Sequence, residues 1–124
     1  MTRRFFTMLL FTAFFGLATQ QEAEAQILST KLKITVIDPI GNVVPDAEVT
    51  LFKTKADYQK EVNPVQKLKL TNVKGQVTFK KLEPRSYYVL VRKGDMSNAG
   101  GGEIVNDLVK GKVNKANVVI SDGL

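Results

Sequence analysis

Glu103 and Asp107, two carboxylates four residues apart, are the first side chains whose types and spacing could do chemistry. On a helix over 103–110 they would sit one turn apart on one face. A retaining glycosidase needs carboxyl groups about 5–5.5 Å apart in a cleft. On a strand the same residues share a face but stand far apart, and a solvated sheet face is the plainer reading. Asp38, Asp46 and Glu48 offer oxygens for calcium, yet no EF-hand spacing surrounds them. Asp38 instead opens Asp38-Pro39-Ile40-Gly41, where an aspartate accepts backbone N–H groups of its own turn. The chain has no His, Cys or Trp, which excludes disulfides, thiolate nucleophiles, His-based triads and His-ligated metals. No catalytic residue, metal ligand or cofactor site is assigned, and the chain reads as non-enzymatic.

What remains is charge. There are 18 Lys and Arg against 12 Asp and Glu, for a net charge of +6. Lys53, Lys55, Lys60, Lys67, Lys69, Lys74, Lys80 and Lys81 crowd the middle of the chain, and Lys110, Lys112 and Lys115 its end. Beyond the N-terminal segment only Arg85 and Arg92 can form bidentate forks. Edge protection and solvated faces account for many lysines. Nucleic-acid binding would require aromatic platforms interleaved with the charge, so that partner is disfavoured. Attraction to acidic glycans or anionic envelope lipids is physically easier. An envelope protein or an acidic glycan is the partner expected, and self-association through strand edges is a further alternative. Lys53, Lys55, Tyr58 and Lys60, on one long polar connection, are the candidate contacts.

The N-terminus bears on where such contacts would be made. Arg3 and Arg4 precede an apolar run from Phe5 to Ala18, and Ala23-Glu24-Ala25 follows, the layout of a secretory signal peptide over 1–25. The run is short for a membrane-spanning helix of ~20 residues. The expectation is a chain exported to the periplasm or the extracellular space, with no transmembrane span after cleavage. It leaves one domain over 26–124, 99 residues that keep the net charge of +6.

Val, Ile and Thr supply 27 of those 99 residues, which favours strands. Leu32, Ile34 and Val36 alternate with Lys33, Thr35 and Ile37, the period of a strand with one buried face. A second strand is expected from about 47 to 54, with Val49 and Leu51 on one face and Thr50 and Phe52 on the other. The stretch 53–67 is too long and polar for a hairpin loop and could hold a helical turn near Ala56–Glu61. Leu68 and Leu70 alternate with lysines, and Val77 and Phe79 with Thr78 and Lys80. Gly75 closes the turn between these two strands, and Pro84 marks the next turn. Tyr87, Val89 and Val91 share a face opposite Tyr88, Leu90 and Arg92. The triplet Gly100-Gly101-Gly102 excludes a packed element interior. Strands near 103–109, with a helix as the alternative, and 113–121 complete the set. About seven short strands with Gly and Pro turns predict an all-β, antiparallel sandwich of prealbumin-like or Ig-like architecture.

The stretches VIDPIGNVVPDAEVTLF and TNVKGQVTFKKLEPRSYYVLVRKG resemble the carboxypeptidase regulatory-like domain, within the transthyretin-like, or prealbumin-like, sandwich group. Val36, Asp38, Gly41, Pro45, Ala47 and Val49 fit the first half of its pattern, with one extra residue before the proline. Thr71, Asn72, Gly75, Val77, Phe79, Leu82, Pro84, Tyr87 and Val89 fit the second. Arg85 stands where that family usually has glycine, and Val77 where an aromatic is commoner. The resemblance implies a non-peptidase envelope module, of a kind carried by bacterial surface receptors and exported enzymes, Bacteroidetes-like ones among them. Hydroxyisourate hydrolases of the same fold use histidines and a Tyr-Arg-Gly-Ser ending, neither of which occurs here. A comparison with Cna B-type domains implies a Lys–Asn crosslink between Lys31 or Lys33 and Asn114 or Asn117, without a clear match for the usual glutamate.

Overall fold

A computed structural model describes residues 29–99 and 104–122. The signal segment, Gly100–Gly102 and Glu103 lie outside the described residues. Strand β1, Lys31–Ile37, alternates half-buried and buried along its whole length, with Leu32, Ile34 and Val36 fully enclosed. It sits in the middle of a three-stranded sheet. Strand β4, Gln76–Phe79, pairs antiparallel on one side, matching Leu32 to Phe79 and Ile34 to Val77. Strand β8, Val113–Val119, pairs parallel on the other, from Lys31 opposite Val113 to Ile37 opposite Val119.

The second sheet is built on β2, Glu48–Phe52, and β5, Tyr87–Lys93, antiparallel with Val49 opposite Val91 and Leu51 opposite Val89. Two-residue strands flank them: β3, Lys69–Leu70, on β2, then β6, Met96–Ser97, and β7, Ile104–Val105, both on β5. The strand expected near 103–109 is present in its described part only as the short β7 at 104–105, and the helix alternative is not taken over 104–110. The inner faces meet in one core containing Leu32, Ile34, Val36, Phe79, Tyr87, Val89, Val91 and Ile120. The fold is an all-β sandwich, and its one helix among the described residues, α1, Lys55–Lys60, lies outside the second sheet.

Leu68 and Leu70 reverse the sense their alternation suggests. Both are exposed, while Lys69 turns inward, its ammonium donating to the Thr78 carbonyl at 3.0 Å and lying 5.3 Å from the Phe79 ring centre. On an edge this short, the lysine stem shields the ring and its head satisfies a carbonyl that no strand reaches. Arg85 does not take the left-handed backbone that a glycine there would suggest. That conformation falls on Lys81 (φ 56°), and Arg85 instead donates through Nη2 to the Lys53 carbonyl at 2.9 Å. Tyr87, fully buried, keeps its hydroxyl satisfied by the Glu83 backbone, accepting from the amide at 2.9 Å. This corner fixes the turn through Pro84.

Candidate functional site

The connection from β2 to β3 builds a capped helix over the second sheet. Thr54 starts α1 because its extended backbone lets the hydroxyl accept from the Asp57 amide at 3.1 Å. Asp57 in the first turn and Lys60 in the last suit the helix dipole. Glu61, in the left-handed region, ends the helix, its amide reaching back to the carbonyls of Asp57 and Tyr58. Asn63 (φ 52°) and Pro64 then prevent any continuation.

This roof covers the outer face of β2 and β5. Phe52, Tyr58 and Leu90 form a second buried cluster, with Tyr88 packed against it. The Tyr58 ring meets Phe52 edge-on at 6.2 Å between centres and Tyr88 at 5.9 Å. The apolar character of both faces of β2 follows: one faces the core, the other faces this helix. Tyr58 is 7% exposed, and its hydroxyl is the one buried side-chain polar atom without a partner among the described residues.

Beside the roof runs a groove of about 440 Å³, with Thr50, Phe52 and Leu90 on its floor and Glu61, Pro64 and Leu68 on its walls. Arg92 forks onto Glu61, Nη1 to Oε1 and Nη2 to Oε2, the second at 2.6 Å. That hydrogen bond, aided by the guanidinium charge and opposed by partial burial, holds the Glu61 carboxyl below its ordinary value. The same contact raises Arg92. An adjoining hollow of about 340 Å³ is bounded by Lys55, Tyr58, Gln59 and Tyr88.

Of the four candidate contacts, Lys55 and Lys60 are exposed and hold no ion pair among the described residues. Lys53 is paired with Glu83 at 3.1 Å, and Tyr58 lies beneath the helix. Asp38 accepts from the Ile40 and Asn42 amides at 3.1 and 2.9 Å, so its carboxylate closes a turn with Gly41. Asp46 and Glu48 do not join it: among the described residues no three acidic side chains converge on a cation position. Asp107 is exposed, and its proposed companion Glu103 lies outside the described residues. The buried polar residues are Thr30, Thr71 and Asn98. No lysine or carboxylate joins them, so the described core lacks the set that the Lys–Asn crosslink would need. Asn114 instead donates to the Lys31 carbonyl at 3.0 Å.

The roles of three residues escaped the sequence reading, which placed Thr71 only as a position of the family pattern. Thr71 accepts from the Ala47 amide at 2.9 Å and donates to the Val44 carbonyl at 2.7 Å, latching the β1–β2 loop. Asn98 accepts from the Val91 amide at 2.8 Å and donates to the Val89 carbonyl at 2.7 Å, standing in for a strand residue where β6 leaves β5. Glu61 was signalled only by its place in the long connection. Nothing in its neighbours pointed to Arg92, 31 residues away.

No family model and no curated protein matches this chain. Solved structures do resemble it. A streptococcal ancillary pilin superposes with a TM-score of 0.57 at 16% identity, covering 75% of this chain and 32% of that one. The major pilin subunit of Bacillus cereus gives 0.52 at 13%, covering 77% and 30%. The TIE protein of Bacillus anthracis gives 0.53 at 20%, covering 75% and 17%. The chain thus spans about a third or less of each of these proteins. At these identities the likeness is one of fold: the chain is similar to sandwich domains within larger chains.

Proposed function

We propose that this chain is a non-enzymatic module of the bacterial envelope, exported by way of residues 1–25 and working over 26–124 by contact with an envelope protein or an acidic glycan. The observation that carries the reading is the roof over β2 and β5. A capped helix presents Lys55 and Lys60 to solvent beside a groove whose floor is apolar and whose wall holds the Arg92–Glu61 fork. The buried polar side chains Thr71 and Asn98, by contrast, are engaged by backbone, as in a scaffold. Two of the similar structures are pilins, which supports an assembly role, and the turn and core motifs support the carboxypeptidase regulatory-like resemblance. No helix among the described residues is long and apolar enough to cross a membrane.

Capture from envelope extract tests the contact. Changing Lys53, Lys55 and Lys60 to glutamine is expected to remove one partner while the fold persists. Raised salt is expected to weaken capture by the native chain, since exposed charges are screened within ~8 Å at physiological ionic strength. An unchanged set of captured partners would overturn this surface. Intact mass of the product from a secreting host tests cleavage after Ala25.

A further inference from the structure

The two long sides of the sandwich end differently. On the β4 side the edge carbonyls are engaged: the Lys69 ammonium donates to Thr78 O at 3.0 Å and the Gln66 side chain, through Nε2, to Lys80 O at 2.7 Å. On the other side β8, among the described residues, pairs with β1 alone from Val113 to Val119. Among the described residues it meets another strand only beyond its end, where Ser121 is bridged to Ser97. The Lys31 amide donates to Lys112 O and the Ile120 amide to Ile37 O, so even-numbered residues of β8 turn their backbone groups toward β1. Those of Val113, Lys115, Asn117 and Val119 point off the edge. The side chains of these four lie on the outer face, and the two valines are 52% and 46% exposed. One lysine guards seven residues of continuous register, with no proline and no bulge.

We propose that β8 pairs antiparallel with β8 of a second copy about a two-fold axis at Ala116, joining two three-stranded sheets into one. This deepens the reading of the chain as an assembly module. Both strands present odd-numbered residues, so symmetric registers bring edge groups opposite each other only when they are centred on a residue and not between two residues. Centred on Lys115, two ammoniums oppose each other. Centred on Asn117, Val113 faces the partner's Ser121, a residue already bridged to Ser97. Centred on Ala116, Val113 faces the partner's Val119 and Lys115 faces the partner's Asn117. Both exposed valines of β8 then meet a valine, no like charges directly oppose, and the small Ala116 falls at the non-hydrogen-bonded pair on the axis. Four facing pairs supply roughly eight backbone hydrogen bonds, two for each pair.

Sedimentation equilibrium of the purified protein over a concentration series tests the pairing, with urea midpoints confirming that each variant folds. Asn117→Asp places an opposite charge before Lys115 twice per dimer, and Asn117→Lys a like charge. The first is expected to tighten the dimer and the second to loosen it, each by about 2- to 30-fold. The chain has no cysteine, so a single introduced one reports its own position. Ala116→Cys is expected to give a covalent dimer on mild oxidation, and Lys115→Cys far less. A protein monomeric at every concentration, charge variants that shift the equilibrium the same way, or Lys115→Cys crosslinking better than Ala116→Cys would overturn the proposal. A monomer that still captures an envelope partner overturns the dimer and leaves the module reading standing.

Discussion

Gly75 and Val36 approach more closely than any side chain at position 75 would permit. The Val36 amide donates to the Gly75 carbonyl at 2.8 Å, and a Cβ on Gly75 would stand 2.9 Å from the Val36 carbonyl oxygen and from the Val43 Cβ. Gly75 also holds φ at +71°, a conformation L-residues adopt at a cost. Gly75→Ala therefore combines a backbone clash with a strained dihedral and is expected to lose on the order of 1–3 kcal/mol. Urea denaturation measures it; a loss below half a kcal/mol would show that the turn relaxes freely.

Phe79 is fully buried and Lys80, its neighbour, is exposed. Phe79→Ala is expected to cost about 3–5 kcal/mol through lost burial and a residual cavity. Lys80→Ala should stay within about 0.5 kcal/mol. Paired urea melts make the comparison, and equal small losses would place the register of β4 in error.

Tyr58 carries a buried hydroxyl with no partner among the described residues, in a ring-packed site. Tyr58→Phe removes the group that folding desolvates and keeps the ring, so stability is expected to hold or rise by up to about 1 kcal/mol. Tyr58→Ala empties the space between Phe52 and Tyr88 and is expected to cost about 3 kcal/mol. A clear loss in the phenylalanine variant would reveal a polar contact for the hydroxyl.

Glu61 titrates below its ordinary value in the folded chain because Arg92 is hydrogen-bonded to it. A carboxyl depressed by folding lends stability that is full above its unfolded value of about 4.3 and disappears as pH falls through the folded one. Both side chains are more than two-fifths exposed, so solvent and salt limit the pair to about 1 kcal/mol or less. The gap between the native chain and Glu61→Gln should be present at pH 7 and close below about pH 4. A gap that persists in acid would mean the glutamate acts by packing.

Alternation over Leu32–Val36, Val77–Phe79 and Tyr87–Val91 made the sandwich legible, because side chains two residues apart share a face whatever lies elsewhere in the chain. The length and polarity of 53–67 likewise marked an insertion too long for a hairpin. What that insertion covers was not legible. Phe52 and Leu90 needed a partner on the outer face, and only the folded chain shows α1 supplying Tyr58 there. Lys69 reads as solvated and Leu70 as buried until β4 stands alongside, when the ammonium reaches Thr78 and the leucine turns outward. Asn98 becomes a substitute strand residue only because β5 leaves an amide and a carbonyl open beside it. Local periodicity sets which face of a strand is apolar. Which segment covers that face, and which edge stays open, depends on contacts between residues far apart in the chain, and those the tertiary structure decided.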